Sequence, residues 1–79
     1  MTEEWCVEFG FEDDCSADIG LLSDITSYKH MWISEIHSYG SSLNIRVESA
    51  SIHAEYNIKR LAEQYSHLVT SKPKKVSYE

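Results

Sequence analysis

The sequence predicts a single α+β domain in which two helices pack on one face of an antiparallel sheet. Two observations predict this class. Apolar residues alternate with polar ones near the start and in the middle of the chain, and they recur at helical spacing in the segments that follow. The length of 79 residues fits one small domain, residues 1–79. At that length roughly 60% of the unfolded chain's surface is buried on folding, so we expect a thin core.

A strand with one buried face is predicted first, because apolar residues occupy every second position at Trp5, Val7, Phe9 and Phe11. The acidic run at 12–14 ends this strand. A helix follows from Ser16 or Asp18 to about Ile25. Either of the first two side chains can accept a hydrogen bond from an unpaired backbone N–H at the helix start.

The segment 29–39 fits two structures. Trp32 and Ile36 continue the helical spacing of the preceding residues, but the segment also fits a strand. Residues 39–42 are typical of a turn, and residues 43–48 alternate cleanly between apolar and polar. Because a strand of that quality needs a neighbour, we favour a hairpin of two strands over a long helix.

A second helix is predicted after Ser51, its expected N-cap, because the apolar residues of segment 54–69 form one stripe. Pro73 is expected to mark the end of the helical region. Val76 and Tyr78 form a short last strand, or the tail from about residue 71 is disordered; the sequence leaves both open. The element order β-α-β-β-α-(β) predicts the ferredoxin-like arrangement.

Charge is divided unevenly along the chain, whose net charge is −6. Residues 1–28 contain eight acidic and no basic side chains, whereas residues 29–79 contain seven basic and five acidic ones. An acidic lobe repels nucleic-acid phosphates and attracts a basic protein. The single basic cluster, at 72–75, is a thin footprint for DNA or RNA. We therefore predict a basic protein partner and no direct binding of nucleic acid.

Signatures of catalysis and of metal binding are missing from the sequence. Two cysteines and four histidines occur, but none has C-x-x-C or H-x-x-x-H spacing. There is no G-x-S-x-G motif, and the acidic run 12–14 lacks the spacing of an EF-hand loop. We predict that the protein is not an enzyme and uses neither a metal nor a cofactor.

The expected location is the cytoplasm. The first residues are acidic where a signal peptide would be basic, and no apolar run approaches the roughly 18 residues of a membrane span. Cys6 and Cys15 are too few for a disulfide-built miniprotein, so we expect free thiols in a reducing compartment.

One short segment resembles a known family. Residues 20–26, Gly-Leu-Leu-Ser-Asp-Ile-Thr, follow a predicted strand and are similar to the start of the first helix in ACT regulatory domains. The resemblance implies a dimer that binds an amino acid or another small metabolite at this loop, near Gly20 and Leu21. The chain departs from the family pattern at Ala17, where Asp or Asn is usual.

Aromatic content favours a protein-binding surface, because nine aromatic residues exceed what a thin core needs. We predict an inhibitor or immunity-type protein that covers a basic surface of its partner. Its expected contact residues are Glu8, Glu12, Asp13, Asp14 and Asp18 for charge, with Trp32 or Tyr39 as the anchor. The ACT-like homodimer and a subunit of a larger assembly are the alternatives.

Overall fold

The computed structural model describes residues 2–12 and 17–76, with side chains from Gly20 onward in the second range. Several residues named above lie outside this description: Asp13, Asp14, Cys15, Ser16 and Tyr78. The side chain of Asp18 is outside it as well.

Four strands and two helices make up the described chain. Their order is β1 (Glu3–Glu12), α1 (Ala17–Ser27), β2 (Met31–Tyr39), β3 (Ser42–Ser51), α2 (Ala54–Gln64), a 3-10 turn (Ser66–Leu68) and β4 (Val69–Lys75). The strands form one antiparallel sheet in the order β2-β3-β1-β4. The predicted α+β class, with an antiparallel sheet and two helices, is confirmed.

Segment 29–39, which fitted both a helix and a strand, forms β2 of a hairpin. Tyr39 pairs with Ser42 across the turn, and Gly40 has a φ of 62°, the left-handed region that favours glycine. The strand is stable here because β3 offers it a ladder of backbone hydrogen bonds. The predicted hairpin is therefore confirmed.

The core lies between the helices and one face of the sheet. Alternate residues of the central strands point into it, and both helices contribute a buried stripe. Its main members are Val7, Phe9, Phe11, Ile45 and Val47 from the sheet, Leu21 and Ile25 from α1, and Ile58 and Leu61 from α2. Because both helices share this cluster, they cover the same face.

The C-terminal segment differs from the prediction. Val69 fitted the apolar stripe of the second helix, but α2 ends at Gln64 and Val69 begins β4. Pro73 lies inside this strand instead of marking the end of the helical region. An edge strand tolerates proline because one of its sides needs no backbone donor. Residues 71–75 thus belong to the sheet. The last strand lies earlier in the chain than the predicted strand at 76–78.

The start of α2 also differs from the prediction. His53 occupies the N-cap position, and no side chain caps the helix there. Ser51, the expected cap, instead accepts a hydrogen bond from the His53 N–H, at 3.1 Å from N to Oγ. Ser51 therefore stabilises the turn between β3 and α2 instead of the first helical turn.

Candidate protein-interaction surface on the open face of the sheet

The face of the sheet opposite the helices carries the second set of alternating strand residues. We call it the open face. Directly opposed residues in antiparallel strands lie on the same face, so the register defines its members. They form five rows across the strands: Ala50–Glu4, Trp32–Glu48–Cys6–Lys74, Glu35–Arg46–Glu8–Ser71, His37–Asn44–Gly10, and Tyr39–Ser42–Glu12.

Four of the residues predicted to bind a partner come together on the open face. Glu8 and Glu12 are on β1, whereas Trp32 and Tyr39 are on β2. Trp32 is 42% exposed and Tyr39 is 67% exposed. Because only β3 separates β1 from β2, the acidic and aromatic columns lie about 10 Å apart.

Arg46 lies at the centre of the open face among carboxylates. Its guanidinium is 3.3 Å from Glu48, measured from Nε to Oε2, and 3.7 Å from Glu35, measured from Nη1 to Oε2. The second oxygen of Glu35 is 2.9 Å from Nε2 of His37. Burial lowers the pKa of Arg46, but opposing charges outweigh it and raise the pKa above its usual value; they belong to Cys6, Glu48, Glu35 and Glu8. The guanidinium of Arg46 therefore stays charged, and the carboxylates around it balance its positive charge.

Carboxylates outnumber cations on the open face. Among the described residues, its acidic members are Glu4, Glu8, Glu12, Glu35 and Glu48, and its basic members are Arg46 and Lys74. Sequence reasoning missed Glu35 and Glu48, because their half of the chain carries a net positive charge. Their alternation with apolar residues in the hairpin was the signal that could have placed them here.

Glu12 is held at one corner of the open face by the hairpin turn. The hydroxyls of Ser41 and Ser42 donate hydrogen bonds to its two carboxylate oxygens, both at 3.2 Å. Since Ser42 also pairs with Tyr39, this row places a carboxylate and an exposed aromatic ring at the same end of the sheet.

A polar link crosses the sheet above Gly10. Asn44 on β3 donates a hydrogen bond from Nδ2 to Oγ1 of Thr70 on β4, at 3.0 Å. A β-carbon at position 10 would lie 2.8 Å from Cγ2 of Thr70. Glycine is favoured at this position because a larger residue would have to displace the Thr70 side chain and would disturb the link.

The residues that the ACT resemblance singled out lie within α1. Leu21 is fully buried in the core. A β-carbon at Gly20 would lie 3.2 Å from the hydroxyl of Tyr65. That hydroxyl donates a hydrogen bond to Oδ2 of Asp24 at 2.6 Å, which is the main cause that raises the pKa of Tyr65 to about 12. Tyr65 thus links α1 to the chain that leads into β4.

Residues 2–12 and 17–76 contain no group of three His, Cys, Asp or Glu side chains placed to hold a metal ion. Cys6 is buried and forms no disulfide. Neither helix in this part of the chain has the length and apolar character needed to cross a bilayer.

No protein-family model matches the chain, and neither a curated protein nor a solved structure matches it. Function therefore has to be argued from the residues of the open face and from their surroundings.

Proposed function

We propose that this protein is a binding module whose open face docks on a basic surface of a partner protein, as an inhibitor or immunity-type protein does. One observation carries the proposal. Glu8 and Glu12 from one strand and Trp32 and Tyr39 from another, up to 31 positions apart in the sequence, share a single exposed face.

The two kinds of side chain have different roles in such an interface. An excess of carboxylates accelerates encounter with a cationic surface and rejects partners of the same charge. Aromatic side chains supply most of the affinity once they are desolvated against the partner. Trp32 and Tyr39 lie at opposite ends of β2, so they would contact the partner at two separate points.

The excess of carboxylates also argues against nucleic acid as the ligand. A protein that binds DNA or RNA neutralises phosphates with Lys and Arg. On the open face Arg46 is surrounded by carboxylates, and Lys74 lies at the β4 edge. A basic protein fits this distribution of charge better than a polyanion does.

We also propose the ferredoxin-like arrangement for the fold. The order β-α-β-β-α-β and the packing of both helices on one face of an antiparallel sheet support it. The reduced thiol of Cys6 is consistent with a reducing compartment, so we propose that the partner is met in the cytoplasm.

The test is capture of basic proteins from the host lysate on the immobilised protein, at low and at high salt, followed by association kinetics with the purified partner. We expect the double variant Glu8→Gln/Glu12→Gln to associate several-fold more slowly at low salt, because steering weakens, and to match the wild type at high salt.

The control is Glu55→Gln/Glu63→Gln, which also removes two negative charges but takes them from α2. If both double variants slow association equally, net charge alone steers the partner and the open face is not the docking surface. If no basic partner is retained, thermal melting with a panel of amino acids tests the ACT-like alternative, since a ligand at 100 times its Kd adds about 2.7 kcal/mol.

A further inference from the structure

We propose that the partner contributes an extended segment that adds to the free edge of β2 as a fifth strand. Basic side chains of this segment lie toward the open face, and its apolar side chains lie toward the helix side. The inference rests on the proposed function and specifies the part of the partner that is recognised.

β2 is at the edge of the sheet and pairs with β3 alone among the described strands. Every second residue of an edge strand directs its N–H and C=O groups outward, where they are available to another strand. The register with β3 is irregular between Ile33 and Glu35, and it is regular from Glu35 to Tyr39. We call residues 35–39 the β2 edge segment.

The helix side of the β2 edge segment carries one large apolar residue, Ile36, beside the small Ser38. Ile36 is opposite Ile45, a core residue, and therefore lies on the helix side of the sheet. It is nevertheless 64% exposed, whereas Met31 at the start of the same strand is buried. An added strand would cover Ile36 with an apolar side chain of its own.

The other side of the segment carries one carboxylate, Glu35, and two aromatic rings. The side chain of Glu35 is half exposed and belongs to the same row as Glu8. His37 and Tyr39 stack beside it, with ring centroids 6.3 Å apart. A Lys or Arg on the added strand would lie next to Glu35, and its aliphatic stem could cover the Tyr39 ring.

Charge complementarity favours a basic strand over a second copy of this chain. The β2 edge segment contains no Lys or Arg, so a second copy would add no cation next to Glu35, whereas a basic strand would. An alternating basic and apolar segment matches both sides of the strand at once. The predicted partner sequence therefore has Lys or Arg at every second position and Val, Ile or Leu between them.

The test uses a capped eight-residue peptide of four Lys-Val repeats and a matched peptide of four Lys-Pro repeats. The second peptide has the same length and charge, but its prolines remove backbone donors and disfavour strand pairing. We expect the Lys-Val peptide, but not the Lys-Pro peptide, to slow hydrogen exchange at the outward-facing amides of the β2 edge segment. NMR at low salt measures the exchange.

Two protein variants separate strand addition from general charge attraction. Ile36→Lys and Ile52→Lys each replace an exposed isoleucine, 64% and 65% exposed, with the same added charge. We expect Ile36→Lys to weaken binding of the Lys-Val peptide about tenfold, because lysine protects an edge strand. Ile52→Lys, in the turn before α2, should weaken it by about twofold or less, since only the net charge changes.

The outcomes separate strand addition at the β2 edge from the proposed function of the open face. If the two peptides bind equally or the two variants weaken binding equally, strand addition is wrong and the acidic open face still stands as a cation-binding surface. If neither peptide binds at low salt, the proposed function fails as well. If the β2 amides become protected as the protein alone is concentrated, the occupant is a second copy, which overturns the basic strand.

Discussion

The two edge strands of the sheet differ in how far they are protected against pairing with another strand. β4 carries three lysines and Pro73, and its register with β1 shifts twice. The β2 edge segment carries neither lysine nor proline, and its pairing with β3 is regular. Lysines, proline and bulges are the devices with which natural sheets block edge-to-edge association.

The difference has an electrostatic side as well. The lysines make the β4 edge basic, whereas Glu35 and the neighbouring face make the β2 edge acidic. A basic segment is therefore repelled at one edge and attracted at the other. If a basic segment docks as we propose, the protected and basic β4 edge would direct it to the β2 edge.

The largest expected effect is a loss of stability when a buried aliphatic side chain beside the β4 edge is truncated. The matching truncation at the β2 edge should cost much less. Leu68, just before β4, is buried in the core, so Leu68→Ala should lower the free energy of unfolding by about 2–3 kcal/mol. Ile36→Ala on exposed β2 should cost about 0.5 kcal/mol or less. Urea denaturation measures both. Equal losses would show that the β2 edge is packed and not available.

A smaller loss is expected from Gly10→Ala, which directs a methyl group at Thr70 and disturbs the attachment of β4. We expect about 1–2 kcal/mol of destabilisation. Thr70→Ser removes the clashing Cγ2 and keeps the hydroxyl that Asn44 contacts. In the Thr70→Ser background, Gly10→Ala should therefore cost clearly less by urea denaturation. An unchanged cost would mean that the contact with Thr70 is not the cause.

The Tyr65–Asp24 hydrogen bond links the helix beside β2 to the chain entering β4, and Tyr65→Phe should cost about 1 kcal/mol at neutral pH. The folded pKa of Tyr65, about 12, is above its ordinary value of 10.0, so folding favours the neutral phenol. This stabilisation is complete below pH 10 and is lost as the pH rises through 12.

The difference in stability between wild type and Tyr65→Phe, from denaturation at several pH values, should therefore shrink between pH 10 and 12. Tyr56→Phe is the control, because Tyr56 is exposed and its hydroxyl accepts a hydrogen bond from Arg60, a neighbour on the same helix. A constant difference for Tyr65→Phe across this range would contradict the assigned bond.

The smallest change in stability is expected for Lys72→Thr/Pro73→Thr, which removes two protective residues from the β4 edge. Because Lys72 is exposed and Pro73 is only partly buried, the free energy of unfolding should change by about 0.5 kcal/mol or less. Self-association should nevertheless increase, and sedimentation velocity over a range of concentrations measures it. A variant that stays monomeric would show that Lys74 and the register shifts suffice.

The strength of each local pattern explains which elements could be predicted. β1 and β3 alternate cleanly because each has one face on the core and one on the open face. β2 was ambiguous because an edge strand with exposed Ile36 and a register shift disturbs the two-residue period. The end of the second helix was predicted too late, because Val69 fits a helical stripe and the free edge of β1 is not visible in the sequence.

The candidate site was predictable to a similar degree. Glu8 and Glu12 followed from local charge, and Trp32 and Tyr39 followed from the surplus of aromatic residues. Glu35 and Glu48 were missed, since local charge assigned their segment to the basic half. The pairing of β2 with β3 brings Glu35 beside Arg46, whereas Glu48 follows Arg46 by two positions on β3 itself. The pairing of β3 with β1 then places both carboxylates on the same face as Glu8 and Glu12.

The sequence by itself determined the α+β class, the alternating strands and the overall negative charge, because these depend on periodicity and composition within short segments. The tertiary structure decided which acidic and aromatic residues share a face, which edge is protected and where α2 gives way to β4. The physical reason is that strand pairing joins residues far apart in the chain. Its hydrogen bonds and its register are settled by the whole sheet and not by any one segment.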